Sequence, residues 1–323
     1  MKILITGANG FVGSNLISKL KNEYEVSALV RKKSKVDLIY RKTNIIRSDY
    51  SKADLKNILK DFEIVIHLAG ATKGKNWNSF YQANYVLTDK ISQIAEECES
   101  VKQFIFISSQ AAAGLSNNKI PKREIDESNP ITFYGKSKLM AENAVIKNCK
   151  KTNYTILRPA SVYGPGDKDF LIYFKLVKLG LVTTIWKREQ YLSLIYVEDL
   201  VKAIQISVAN KNAFNQKFFI SDGKIYRPQD IANSFKKVMN IEKVRDLPIP
   251  VFLVIIVAYI SEFLSIFTRK ISIINRQKIP ELIGRFWICD NSKIRKMLNF
   301  SSDYDIDEAA KITYEWYKKQ GWL

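Results

Sequence analysis

Over the first 160 residues, short unbroken apolar runs alternate with stretches of helical periodicity. Lys2–Ile5, Glu25–Val30, Asn44–Arg47, Ile64–Leu68, Phe104–Ser108 and Thr155–Leu157 read as strands. Val12–Leu20, Asp54–Lys60, Trp77–Cys98 and Tyr134–Cys149 read as the helices between them. Strands that are apolar without alternation bury both faces, which is the pattern of a parallel sheet covered by helices on either side. The predicted fold class is α/β, with a doubly wound parallel sheet. Beyond Arg158-Pro159 the alternation weakens. Phe170–Leu179 and Val197–Val208 read as helices, Tyr191–Val197 as a strand, and Lys217–Ile220 as a strand returning to the main sheet. The region 240–300 carries an apolar helix of its own. No repeat or low-complexity linker divides the chain. The predicted organisation is a nucleotide-binding domain over 1–165, with 191–235 returning to it. A smaller, interleaved C-terminal substrate lobe is formed mainly by 166–190 and 236–323.

The chain has 323 residues, 46% of them hydrophobic and 26% charged. That is enough to bury a full core without disulfides or metals, and it excludes intrinsic disorder. Cys98, Cys149 and Cys289 are scattered, and His67 is the only histidine. They form no disulfide framework and no metal-ligand set, so no metal and a reducing, cytoplasmic location are expected.

Lysine and arginine number 51 against 32 acids, a net charge of +19. The cations run along the whole length, densest at 31–42 and 269–278, without a nucleic-acid-binding motif, so no specific nucleic-acid partner is expected. No signal peptide is read at the N-terminus. Val251–Phe267 is membrane-like, holds a single acid, Glu262, and falls at the short end of a spanning helix. A buried helix or a substrate lid is expected there. Peripheral membrane contact through Arg269, Lys270, Arg276 and Lys278 stays open.

Thr6-Gly7-Ala8-Asn9-Gly10-Phe11-Val12-Gly13 follows directly on the first strand and opens the first helix. In that setting Gly7 permits the tight exit, Gly10 lets backbone amides approach a pyrophosphate, and Gly13 allows close helix–sheet packing. The helix N-terminus then adds partial positive charge. An NAD site commonly carries an acid at the end of the second strand. Here the strand ends Leu29-Val30-Arg31-Lys32-Lys33, and Arg31 is placed to bind a 2′-phosphate, which points to NADP with NAD as the alternative. Asp49 is read either as a partner for the adenine amino group or as a turn or cap residue before the next helix. Tyr134 and Lys138 stand four apart on one helix face, where an ammonium can depress a phenol pKa. Ser108-Ser109 closes the fifth strand, at the sheet edge where ligands bind.

These stretches, together with His67-Leu68-Ala69-Gly70, Asn84 with Thr88, Gly114, Leu157 to Gly166 and Tyr196-Val197-Glu198-Asp199-Leu200, resemble the extended branch of the short-chain dehydrogenase/reductase superfamily. That branch includes the NAD-dependent epimerases and dehydratases. The resemblance covers roughly the first 210 residues and implies a Rossmann domain and a small-molecule substrate. It also implies a homodimer through the helices at 77–98 and 134–149. It casts Ser109, Tyr134 and Lys138 as catalytic. Tyr134 would exchange a proton with the substrate oxygen, Lys138 would lower its pKa and hold the nicotinamide ribose, and Ser109 would hydrogen-bond the reacting oxygen. Pro159 and Val162 would line the nicotinamide, Asn84 would organise the central helix, and His67 would pack beside the cofactor. The cofactor-binding set on this basis is Gly7, Asn9, Gly10, Phe11, Val12, Gly13, Arg31, Asp49, Leu68, Ala69, Asn84, Tyr134, Lys138, Pro159 and Val162.

Two departures narrow the chemistry. Gln110-Ala111 follows Ser109 where sugar-nucleotide dehydratases have an Asp-Glu pair, which leaves water elimination without its proton carriers. Leu192 stands where many sugar-nucleotide epimerases keep a diphosphate-binding arginine. The reading that follows is an NAD(P)-dependent oxidoreductase acting on an apolar alcohol or ketone, in the manner of the sterol-dehydrogenase-like members. A sugar-nucleotide epimerase or reductase is the alternative. A non-catalytic NADP sensor is a second alternative, disfavoured because Ser109, Tyr134 and Lys138 occur together.

Overall fold

The computed structural model describes residues 1–39, 43–268 and 276–323. The chain runs through β1 (Lys2–Thr6), α1 (Phe11–Leu20), β2 (Glu25–Arg31), β3 (Asn44–Ser48), α2 (Lys52–Leu59) and β4 (Ile64–His67). Next come α3 (Trp77–Phe80), a π-helical stretch Tyr81–Val86, α4 (Leu87–Glu97), β5 (Gln103–Ile107), α5 (Phe133–Asn148) and β6 (Asn153–Pro159). Then follow β7 (Ser161–Tyr163), α6 (Phe170–Lys178), β8 (Leu181–Ile185), β9 (Tyr191–Leu192), β10 (Leu194–Tyr196), α7 (Val197–Ser207), β11 (Gln216–Ile220) and α8 (Pro228–Met239). The last elements are β12 (Arg245–Ile249), α9 (Val251–Thr268), α10 (Ile279–Leu282), β13 (Phe286–Trp287), α11 (Ser292–Leu298) and α12 (Ile306–Lys319).

Seven parallel strands form the main sheet in the order β11-β6-β5-β4-β1-β2-β3. Alternate residues of one strand feed two separate cores. Ile3 and Ile5 of β1 join Leu16, Ile17, Leu200 and Ile204 of α1 and α7 on one face. Leu4 joins Leu55, Ile91, Ala141 and Val145 of α2, α4 and α5 on the other. Both faces are buried, which is why these strands carry no polar alternation. The strand order reverses between β1 and β4, so a crevice opens at their carboxyl ends.

The smaller lobe is built from three two-stranded parallel pairs, β10 with β7, β12 with β8 and β13 with β9. Its aromatic core sets Phe174 against Phe235 at 3.8 Å between ring centres and against Tyr317 at 5.4 Å. The predicted strand Tyr191–Val197 is split at Ser193, because β9 and β10 pair with different partners. The predicted helix 77–98 is one helical run with a π-helical stretch in its middle.

The burial expected for the apolar helix is not found. Eight of the large apolar side chains of α9 are exposed, from Ile255 at 37% to Phe252 and Phe263 at 59%, while Ala258 is fully buried. Among the described residues no helix is long and apolar enough to cross a membrane. Arg41, Lys42, Arg269 and Lys270 of the two basic stretches lie outside the described residues.

Candidate active site

The β1–α1 turn begins at Gly7, whose φ of +69° falls in the left-handed region. A Cβ on Gly13 would sit 2.5 Å from the Gly7 carbonyl oxygen, so the first turn of α1 presses against the strand exit in a way only glycine permits. Gly10 is the N-cap and supplies no side chain. The backbone amides of Phe11, Val12 and Gly13 therefore start a helix that no side chain caps, the geometry that accepts a phosphate. Leu68 and Ala69 border the same turn. The Leu68 amide donates to Thr6 O at 3.1 Å and the Ala69 amide to Thr6 Oγ1 at 3.2 Å. Asn9 ties the loop to the basic turn after β2 by donating Nδ2 to Lys35 O at 3.0 Å.

Arg31 is exposed at the end of β2, in register with Ser48 of β3. Arg47, which the sequence did not single out, braces that turn by donating Nη1 to the carbonyls of Lys32 (2.8 Å) and Ser34 (3.1 Å). Asp49 accepts from the Ser51 amide at 2.8 Å and pairs with Lys32 at 3.2 Å. The hydrogen bonds from Ser51, then that from Lys32, hold its carboxyl at about 2. Of its two readings, the turn role is the one these bonds describe; Ser51 itself caps α2.

Around the end of β5, Ser109 caps a short 3₁₀ turn and accepts from the Ala111 amide at 3.1 Å. Thr132 caps α5 by accepting from the Gly135 amide at 3.0 Å. A Cβ on Gly135 would fall 2.2 Å from the Ala111 carbonyl, so α5 starts directly against the turn that follows Ser109. That contact seats Tyr134 beside Ser109, near enough for the serine hydroxyl to favour the phenolate. Tyr134 faces a small cavity lined by Thr72, Phe80, Thr132, Lys278 and Glu281.

Electrostatics here differ from the depressed phenol expected from the spacing. Burial pushes the Tyr134 hydroxyl up to about 12. The neighbouring Ser109 hydroxyl opposes that shift, and Glu281 adds to it. Lys138 is buried and donates Nζ to Ile107 O at 2.8 Å. Burial brings its ammonium down to about 8, with Glu142 opposing.

Asn84 sits in the π-helical stretch, fully buried. Its Oδ1 accepts from the Ala71 amide at 2.7 Å, and its Nδ2 donates to Ala71 O at 3.0 Å and to Ser137 Oγ at 2.9 Å. It thereby pins the loop after β4 to α5 beside Lys138. His67 is fully buried between Thr6 (2.6 Å) and Thr88 (2.9 Å), and burial, with Lys138 adding to it, lowers it to about 3. It is a neutral core imidazole. Pro159 ends β6 and Val162 lies half-buried in β7.

The sequence reading missed Glu142, one turn beyond Lys138. It is fully buried and bound by Arg158 Nε (2.8 Å) and Nη2 (2.7 Å), by Ser108 Oγ (2.6 Å) and by Lys217 Nζ (3.1 Å). Burial alone would raise its carboxyl, but these partners keep it below the usual carboxylate range. The repeated four-residue step from Tyr134 to Lys138 to Glu142 is the signal that could have found it.

A family model described as the NAD dependent epimerase/dehydratase family matches residues 3–220. The chain belongs to that family. It is accordingly an enzyme of the short-chain dehydrogenase/reductase type, from an NAD-dependent family. Within the family it is 29% identical over 265 residues to a UDP-glucose 4-epimerase of Vibrio cholerae, covering 77% of this chain and 79% of that one. It is 25% identical over 327 residues to a ceramide reductase of Caulobacter vibrioides, covering 99% and 96%. In fold it resembles UDP-glucuronic acid 4-epimerase from Bacillus cereus, solved with NAD, with a TM-score of 0.78 at 21% identity and full coverage of both chains.

Proposed function

We propose that this family member is an NAD(P)-dependent oxidoreductase that interconverts an alcohol and a carbonyl on an apolar substrate. The observation that carries the reading is the seating of Tyr134 against the turn that follows Ser109, beside buried Lys138 at the carboxyl edge of the sheet and close to an uncapped glycine turn. The turn formed by Gly7, Gly10 and Gly13, packed so closely that a Cβ at Gly7 would strike Ala69 and one at Gly13 the Gly7 carbonyl, fits a dinucleotide pyrophosphate. When bound, the nicotinamide supplies or accepts the hydride. Tyr134, kept protonated by burial, donates its proton to the substrate oxygen as a carbonyl is reduced. Ser109 holds that oxygen, and Lys138 and Asn84 fix the neighbouring loop and ribose site. Arg31, with no carboxylate beside it on β2, favours a 2′-phosphorylated cofactor.

Support for the apolar substrate comes from the ceramide reductase relative, which aligns over 99% of the chain. Leu192 also supplies no anion-binding charge. It packs in the smaller lobe's core, with backbone bonds of 2.8 Å to Tyr226. The UDP-glucose 4-epimerase relative supports a second reading, sugar-nucleotide epimerisation on the same three residues. Replacing Tyr134 by Phe removes the hydroxyl and keeps the ring, so turnover should fall roughly 10²-fold or more while cofactor affinity is retained. Unchanged turnover would sink the assignment. Assaying long-chain ketones beside uridine diphosphate sugars separates the two substrates: turnover of the sugars alone would establish the second reading.

A further inference from the structure

Helix α9 inverts the usual arrangement of a surface helix. At 100° per residue, Val251, Val254, Ala258, Ser261 and Glu262 fall on one stripe, and these are its buried or half-buried positions. The remaining arc, about 200° wide, presents Phe252, Leu253, Ile255, Ile256, Val257, Tyr259, Ile260 and Phe263, all exposed. No charged side chain lies on that arc. A contiguous apolar face of this kind marks a contact surface, since isolated exposed apolar residues are ordinary and eight on one helix face are not.

What surrounds the face identifies its occupant. Exposed Trp186 stands at the base of the helix, its amide donating to Ile249 O at 3.0 Å, with the Lys187 ammonium 4.8 Å from its ring centre. Arg188 follows, donating to Ile283 O. On the other flank Arg276 is clamped to Glu262 by two bonds of 2.9 Å and lies over the Tyr259 ring at 5.2 Å. An exposed apolar helix with an indole and cations at its margins is the pattern of a helix lying in a membrane interface, its apolar face among acyl chains and its cations at headgroup level. The charge of +19 opposes pairing with a second copy and favours an anionic surface.

We propose that the exposed face of α9 docks the enzyme onto an anionic phospholipid bilayer. Arg276 links this helix to the active site, because Lys278 and Glu281, just beyond it, line the Tyr134 cavity. Docking therefore holds that side of the cavity close to the lipid headgroups. The proposal stands whichever carbonyl compound the site transforms.

Vesicle flotation of the full chain tests it. With phosphatidylcholine vesicles containing about a third phosphatidylglycerol, the protein should float at low salt, and partition about tenfold less to phosphatidylcholine alone or in high salt. Ile256→Gln/Ile260→Gln, which keeps good helix formers on exposed positions, should reduce binding about tenfold or more. Lys187→Glu/Arg188→Glu should remove the preference for the anionic lipid. In the unmodified protein, tryptophan emission should be quenched by brominated lipid, and Trp186→Phe should lose most of that quenching. This last comparison needs no change to α9. A protein that stays in solution with both vesicle types overturns the proposal, as does a glutamine variant that floats like the wild type. A dimer in sedimentation velocity that the glutamine variant abolishes also overturns it, and assigns the face to a second copy.

Discussion

At the scale of single residues, Tyr134 carries its proton at neutral pH because burial outweighs the opposing influence of Ser109, and Lys138 is turned to the Ile107 carbonyl. The four-residue spacing placed both groups on one helix face. It did not show that the ammonium is engaged by backbone. Asp49 is a similar case: the sequence offered two roles, and only the Ser51 and Lys32 bonds separate them. Glu281 was beyond reach of the sequence, because nothing local connects it with a tyrosine almost 150 positions earlier. Arg31 gives the first test at this scale. If its guanidinium binds a 2′-phosphate, NADPH should bind more tightly than NADH by about 1.5–3 kcal/mol, roughly 10- to 100-fold, and Arg31→Asp should reverse the order. Fluorescence titration reads both affinities. Superimposable curves for the two cofactors in the unmodified protein would refute the role.

Among the elements, the strands of the main sheet were the most legible, since Ile3, Leu4 and Ile5 must all be apolar to serve two cores at once. The segment 191–197 was less so. Ser193, in the middle of an apolar run, donates its amide to Trp287 O and accepts from the Cys289 amide, and there the strand changes partners. Such partners lie nearly a hundred residues away and leave no periodicity. For helix α9 only the expected burial fails, and for a plainer reason: apolar composition reports a preference for leaving water, and the protein's own core does not satisfy it. The seating of α5 gives an element-scale prediction. Gly135→Ala puts a methyl 2.2 Å from the Ala111 carbonyl. It should cost about 1–3 kcal/mol in denaturant unfolding as an overpacked contact. The displaced Tyr134 should also lower turnover by roughly tenfold or more, with cofactor affinity little changed. Wild-type stability together with wild-type turnover would show that the contact is not what positions the tyrosine.

For the molecule as a whole, His67 couples the fold to pH. Its folded value of about 3 lies below the ordinary 6.5, so the unfolded chain binds a proton that the folded chain rejects. The stability it permits is complete above pH 6.5 and drains away as pH falls toward 3, at about 1.4 kcal/mol per pH unit. Thermal melts between pH 7 and 5 should show this slope, and His67→Gln should flatten it. Because no other histidine exists in the chain, one imidazole signal in nuclear magnetic resonance reports the titration directly. An imidazole that titrates near 6.5 in the folded protein would refute the coupling.

The sheet's edge has a consequence for synthesis. Strand β11 pairs with β6, yet it is made only after residues 160–215, which include β7 to β10 and α7. Until then a nascent chain holds β6 with one row of amides and carbonyls unpaired, next to a core that still lacks Phe218 and Ile220. That open edge is a template for other strands, so a polypeptide released before residue 216 is prone to aggregate; β11 covers it and presents in turn an edge whose Phe219 amide is taken by Glu124 and whose Lys217 carbonyl is taken by Lys293.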